Sequence, residues 1–101
     1  MYNKNMAKMA FNVQVPVTIL KEDKVFVAYS PVLDLSTSGK TFTQVRRRFS
    51  EAVQIFFEEL NEAGTLDEVL SDLGWKRIAR QLMPPLSVTN DLMDVRVPAV
   101  N

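Results

Sequence analysis

The longest periodic feature of the chain lies between Gly39 and Gly64. Apolar residues stand at positions 42, 45, 49, 52, 53, 56, 57 and 60, the spacing that gathers side chains on one face of an α-helix. Four of the six phenylalanines fall on this stripe: Phe42, Phe49, Phe56 and Phe57. Both ends carry stop signals. Thr41 and Gln44 have the spacing of a capping box, in which a hydroxyl and an amide three residues on satisfy free backbone N–H groups. Gly64 suits the left-handed residue that follows a last helical turn. Together these signals predict a helix over Phe42–Ala63. A one-sided helix needs a second layer to cover its stripe, and the rest of the chain must supply it.

The preceding residues read as strands. Over residues 11–19, Phe11, Val13, Val15, Val17 and Ile19 alternate with polar residues and Pro16, the period of a strand with one buried face. Pro16 has no N–H to donate, so the strand is an edge or locally irregular there. Residues 21–24 form a charged turn. Val25–Ser30 follows as a second strand, with Val25, Val27 and Tyr29 on one face and Phe26 and Ala28 on the other. So short a polar connection implies an antiparallel hairpin. Pro31 interrupts the ladder. A weaker third strand is expected over residues 32–38, centred on residues 33–37 and including Asp34, and ended by Gly39.

Beyond the long helix, Thr65 and Glu68 repeat the capping-box spacing and predict a short helix over residues 66–73, stopped by Gly74. Residues 77–82 are ambiguous and fit a further helical turn. Pro84 and Pro85 exclude regular structure. Residues 92–97 alternate again, Met93, Val95 and Val97 against Asp94 and Arg96, which predicts a last strand ended by Pro98. The expected class is α+β, in the order β-β-β-α-α-β: an antiparallel meander covered on one face by the long helix. Residues 11–101 form one domain, and residues 1–10 are a polar lead-in.

Composition limits the chemistry. The 101 residues contain no Cys and no His. Disulfide scaffolds, Cys-ligated zinc, Ser–His triads and most metal sites are thereby excluded. The three glycines stand far apart, so there is no loop to cradle a phosphate. Twelve basic and twelve acidic residues cancel, which disfavours binding to nucleic acid held chiefly by phosphates. The carboxylates Asp34, Glu51, Glu58, Glu59, Glu62, Asp67, Glu68 and Asp72 do not suggest a convergent acid–base pair. No catalytic residue, metal or cofactor is expected. No apolar run approaches the roughly 20 residues of a helical membrane span, and residues 1–10 lack the apolar core of a secretory signal. A cytoplasmic location is the expectation.

The strongest charge run is Arg46, Arg47 and Arg48, to which Lys40 adds. It occupies the first turns of the long helix, where the helix dipole disfavours cations. Two readings stand. It is a solvated face, with Glu51 pairing locally with Arg47 and Arg48, or it is a contact patch for an acidic protein surface or for RNA. The helical phenylalanines read as core. Trp75, directly after Gly74, reads as a lid on that core.

The run Phe26-Val-Ala-Tyr-Ser-Pro-Val-Leu-Asp-Leu-Ser-Thr-Ser-Gly39 combines a "(F/Y)-V-A-x-x-P-x-L" strand with a small-residue strand ending in Gly. Lys40-Thr-Phe42 and the amphipathic helix through Phe56-Phe57-Glu-Glu-Leu60 follow it. With Gly64-Thr65-Leu-Asp-Glu-Val-Leu70 and Leu73-Gly-Trp75, this set resembles the HicB-like antitoxin family, in its stand-alone branch. The resemblance covers residues 13–75, about three-fifths of the chain. It implies a fold like a truncated RNase H without that enzyme's metal-binding carboxylates. It further implies a non-enzymatic role: binding and blocking a small HicA-type mRNA-cleaving toxin.

Family helices commonly carry acids just after the capping Thr, whereas here Thr43 and Gln44 precede three Arg. Many members add a C-terminal DNA-binding segment, and none is evident after Trp75. The lone last strand must pair with a sheet edge, of its own chain or of a second copy; since the resemblance favours oligomers, a homodimer or a dimer of dimers is expected, with Met93, Val95 and Val97 at its interface. The runner-up is a single-domain RNA-binding protein using the sheet or the Arg46, Arg47 and Arg48 patch.

Overall fold

Pro16 sets where the sheet begins. In the computed structural model, which describes residues 13–99, strand β1 spans Thr18–Glu22, two residues past the proline. The expected strand over 11–19 is thus displaced. Residues 13–17 form no ladder, although Val13 and Val15 pack against the core; Phe11 lies outside the described residues. The alternation there reports burial, while a proline that cannot donate keeps the segment out of the sheet. Lys21 and Glu22 belong to β1, and the turn shrinks to Asp23 and Lys24. Asp23 takes φ 57°, a left-handed conformation that Asp tolerates better than most residues.

Strand β2 spans Val25–Ser30, as predicted, and pairs antiparallel with β1. Residues 31–34 turn the chain and β3 follows at Leu35–Gly39. Asp34 is therefore a turn residue with φ 51° and not a strand residue. Val32 and Leu33 leave the ladder because both are buried in the core. The sheet order is β1-β2-β3. Its registers place Ile19, Ala28 and Thr37 on the helix side, and Leu20, Val27 and Ser38 on the other.

Helix α1 spans Phe42–Ala63. Thr41 Oγ1 accepts the Gln44 N–H at 3.0 Å. Gln44 Oε1 reaches back to accept the Lys40 N–H at 2.6 Å, one residue earlier than a standard capping box. Gly64 closes the helix at φ 72°. The start of α1 lies so close to the end of β3 that a Cβ on Gly39 would sit 2.8 Å from the Val45 backbone nitrogen. Val45 and Phe49 pack on Ala28 of the sheet, flanked by Ile19 and Phe26.

Helix α2 spans Leu66–Asp72. The second capping box does not form: the Thr65 side chain makes no cap hydrogen bond. Its backbone N–H instead donates to Leu60 O at 3.0 Å, so the residue serves the end of α1 and is not extended as a side-chain cap requires. The ambiguous stretch after Trp75 is a hairpin and not a helical turn. Strands β4, Lys76–Ile78, and β5, Gln81–Met83, pair around Ala79 at φ 56°.

The α+β class holds: a three-stranded antiparallel sheet, a long helix, a short helix and two further strands. The closing strand, however, is the hairpin. Residues 92–97 form no strand. Their alternation finds no edge in the same chain, and Met93, Val95 and Val97 are 79%, 72% and 72% exposed. The radius of gyration is 17.4 Å and the longest extent 68 Å, against about 13 Å expected for a compact chain of this length. The core has two linked parts: Val32, Leu33, Leu70, Trp75 and Leu82 around the indole, and Ala28, Val45 and Phe49 under α1, with Val15, Leu35 and Val53 touching both. No helix of the described residues is long and apolar enough to cross a membrane.

Candidate functional site

Helix α1 is polarised along its length. Arg46, Arg47 and Arg48 sit near its start beside Lys40, and Glu58, Glu59 and Glu62 near its end. At 22 residues the helix is about 33 Å long, so the two groups are far apart. All these side chains are exposed. The local ion pairs from Arg47 and Arg48 to Glu51 do not form; among the described residues the ion pair present is Arg77 with Asp67 at 2.6 Å.

What organises the basic end is aromatic. The Arg46 guanidinium lies 5.6 Å from the centroid of the Phe42 ring. Phe42 in turn meets Phe26 edge-on, with centroids 6.4 Å apart, and Lys21 Nζ lies 5.7 Å from the Phe26 centroid. Cations within about 6 Å of a ring face are attracted by its quadrupole. Lys21, Phe26, Phe42 and Arg46 thus make one basic–aromatic ridge across β1, β2 and the first turn of α1. Arg48 Nη1 donates to Ser38 O at 3.2 Å, which fixes it against β3. Arg47 and Lys40 are exposed nearby in the sequence. Phe42 is 52% exposed, which corrects its reading as core: the first turn of α1 overhangs the sheet corner. Lys21 and Phe26 were invisible as members because only the packed register brings them to the helix start.

The opposite face of the sheet is uncovered. Leu20, Val25 and Tyr29 are exposed there and Val27 is half-buried. The Tyr29 hydroxyl donates to Asp34 Oδ1 at 3.2 Å. Desolvation first, and the Asp34 carboxylate second, hold its phenol above the ordinary tyrosine value.

Chemistry for catalysis is sparse among the described residues. No group of three metal-ligating side chains occurs. A shallow groove of about 540 Å³ is lined by Leu70, Trp75, Ile78 and Leu82, with Asp67 its one carboxylate, already paired with Arg77. Trp75 is a structural lid, as expected: its indole is buried and stacks edge-on with Phe57 at 6.0 Å. Compared with family models, with curated proteins and with solved structures, the chain finds no match.

Proposed function

We propose that the protein is a non-enzymatic, HicB-like binding protein of the cytoplasm that neutralises a small HicA-type mRNA-cleaving toxin by protein–protein contact. The observation that carries a binding role is the ridge of Lys21, Phe26, Phe42 and Arg46, with Lys40, Arg47 and Arg48 exposed nearby in the sequence. Arg and aromatic side chains are the groups over-represented where partners bind tightly. Here Lys21, Phe42 and Arg46 are exposed beside a half-buried Phe26, and the ridge is in place before any partner arrives. The direction toward a HicA-type toxin comes from the residues of 13–75 that resemble the antitoxin family. Charge complementarity then calls for an acidic patch on the partner where it meets the ridge.

The test is an inhibition assay. A purified HicA-type toxin cleaves a reporter mRNA, and the chain is added in increasing ratio. Cleavage ends at a fixed stoichiometry if the proposal holds. Unchanged cleavage at a large excess of the chain contradicts it.

The ridge also suits a second reading, a single-domain RNA-binding protein, since exposed rings beside cations are a platform for stacking bases. That reading expects binding of RNA alone, with affinity falling steeply as salt rises.

A further inference from the structure

Residues 84–99 form no helix or strand and make no backbone–backbone hydrogen bond among the described residues. Yet the segment is not composed like a solvated tail. Leu86, Val88, Leu92, Met93, Val95 and Val97 are all exposed, and Leu92 is fully so. Over 93–97, Met93, Val95 and Val97 alternate with Asp94 and Arg96, the pattern of a strand with one face to bury. Backbone and apolar face lack a partner together, and a strand pairing supplies both.

We infer that two copies of this chain associate through an antiparallel two-stranded ribbon formed by residues 92–98 of each, with Val95 opposite the partner's Val95. The register follows from the charges. Residues directly opposite in an antiparallel pair share a face. A two-fold register between residues would place Asp94 opposite an apolar side chain and mix the faces. Centring on Asp94 sets two carboxylates against each other, and centring on Arg96 sets two guanidinium groups together. Centring on Val95 instead sets Asp94 against the partner's Arg96, and Arg96 against the partner's Asp94. Met93 then stands opposite the partner's Val97. One face carries six apolar side chains; the other carries two ion pairs, with Leu92 opposite the partner's Pro98 at each end. Pro98 falls at the ribbon end, where a missing N–H costs least.

The reach is sufficient. Eight residues separate Met83 from Leu92, up to about 26 Å of extended chain. The ribbon therefore forms clear of both folded bodies, without unfolding either β4–β5 hairpin. A two-stranded ribbon is marginal on its own, so association is concentration-dependent. The inference is independent of the toxin reading, because it uses no residue of the basic–aromatic ridge.

A charge-exchange experiment on the full chain tests it, by sedimentation at high micromolar concentration. The unaltered chain sediments as a dimer. Arg96→Asp and Asp94→Arg each leave like charges opposed and sediment as monomers. Mixing the two variants in equal amounts restores the dimer, since each residue again meets an opposite charge. The doubly exchanged chain D94R/R96D is a dimer by itself. The helical circular dichroism signal stays constant throughout, because both positions lie outside the folded core. A monomeric unaltered chain overturns the inference. So does a single variant that dimerises as well as the unaltered chain, which would place the interface elsewhere.

Discussion

Trp75 Nε1 donates a buried 2.8 Å hydrogen bond to the carbonyl oxygen of Val32, across 43 positions of sequence. The bond ties the end of α2 to the turn between β2 and β3. It also explains why β3 starts late: residues 32 and 33 are held in the core around the indole rather than in the ladder. Replacing Trp75 with Phe keeps an aromatic ring but orphans the Val32 carbonyl and leaves a void. An unsatisfied buried acceptor costs about 1–3 kcal/mol and a cavity adds to it. Denaturant unfolding of Trp75→Phe is expected to show a loss of about 2–4 kcal/mol. A loss below about 0.5 kcal/mol, the usual effect of a surface change, would remove the indole from this role.

The two threonines with capping-box spacing differ in consequence. Thr41 accepts the Gln44 N–H, whereas the Thr65 side chain caps nothing. Thr41→Ala should cost about 1 kcal/mol, and Thr65→Ala no more than a few tenths. Paired urea titrations measure the contrast. Equal losses at the two sites would contradict the geometry.

Tyr29 reports on the turn at Asp34. Its phenol is raised above the model-compound value of 10.0 by desolvation and by the Asp34 carboxylate. A raised folded-state value means that the folded protein keeps the proton longer than the unfolded chain does. The associated stability is present below the unfolded value, near 10, and is lost as pH rises through the folded one. Ultraviolet titration in a Tyr2→Phe background isolates the group. Asp34→Asn should bring the transition down toward 10; an unmoved transition would discount the carboxylate.

Much of this architecture could be read from residues alone, and the failures have physical causes. Helix α1 was legible because stripe, cap and glycine stop coincide between Thr41 and Gly64. Strand β2 was legible because the charged run ending at Lys24 and the ladder-breaking Pro31 stand just outside its two ends. The β4–β5 hairpin was not legible. Three-residue strands give no period, and Lys76-Arg77-Ile78-Ala79-Arg80-Gln81-Leu82-Met83 is rich in helix formers. Leu82, buried beside Trp75, overrides that propensity. Residues 92–97 misled for another reason: alternation states what a strand would bury and not whether the chain offers an edge. At the candidate site the run of Arg was plain, but the rings that organise it were not. Lys21 and Phe26 reach Phe42 through the packing of sheet against helix.

The ridge separates binding from folding. Arg46→Glu removes the cation over Phe42, and Arg47→Glu reverses an exposed neighbour. Both side chains lie outside the core, so the melting temperature should move little, within about 0.5 kcal/mol of stability. Binding to an acidic protein surface should weaken by at least about tenfold for the pair of changes, as expected where charges meet across an interface. Unchanged affinity would return Arg46, Arg47 and Arg48 to a solvated face.

The most direct measurement is a calorimetric titration of the full chain into a purified HicA-type toxin, with a structureless RNA of similar size titrated in parallel. The account predicts saturable heat at a fixed ratio with the toxin and none with the RNA. Saturable binding to the RNA that fades as salt rises, with no heat from the toxin, would contradict it.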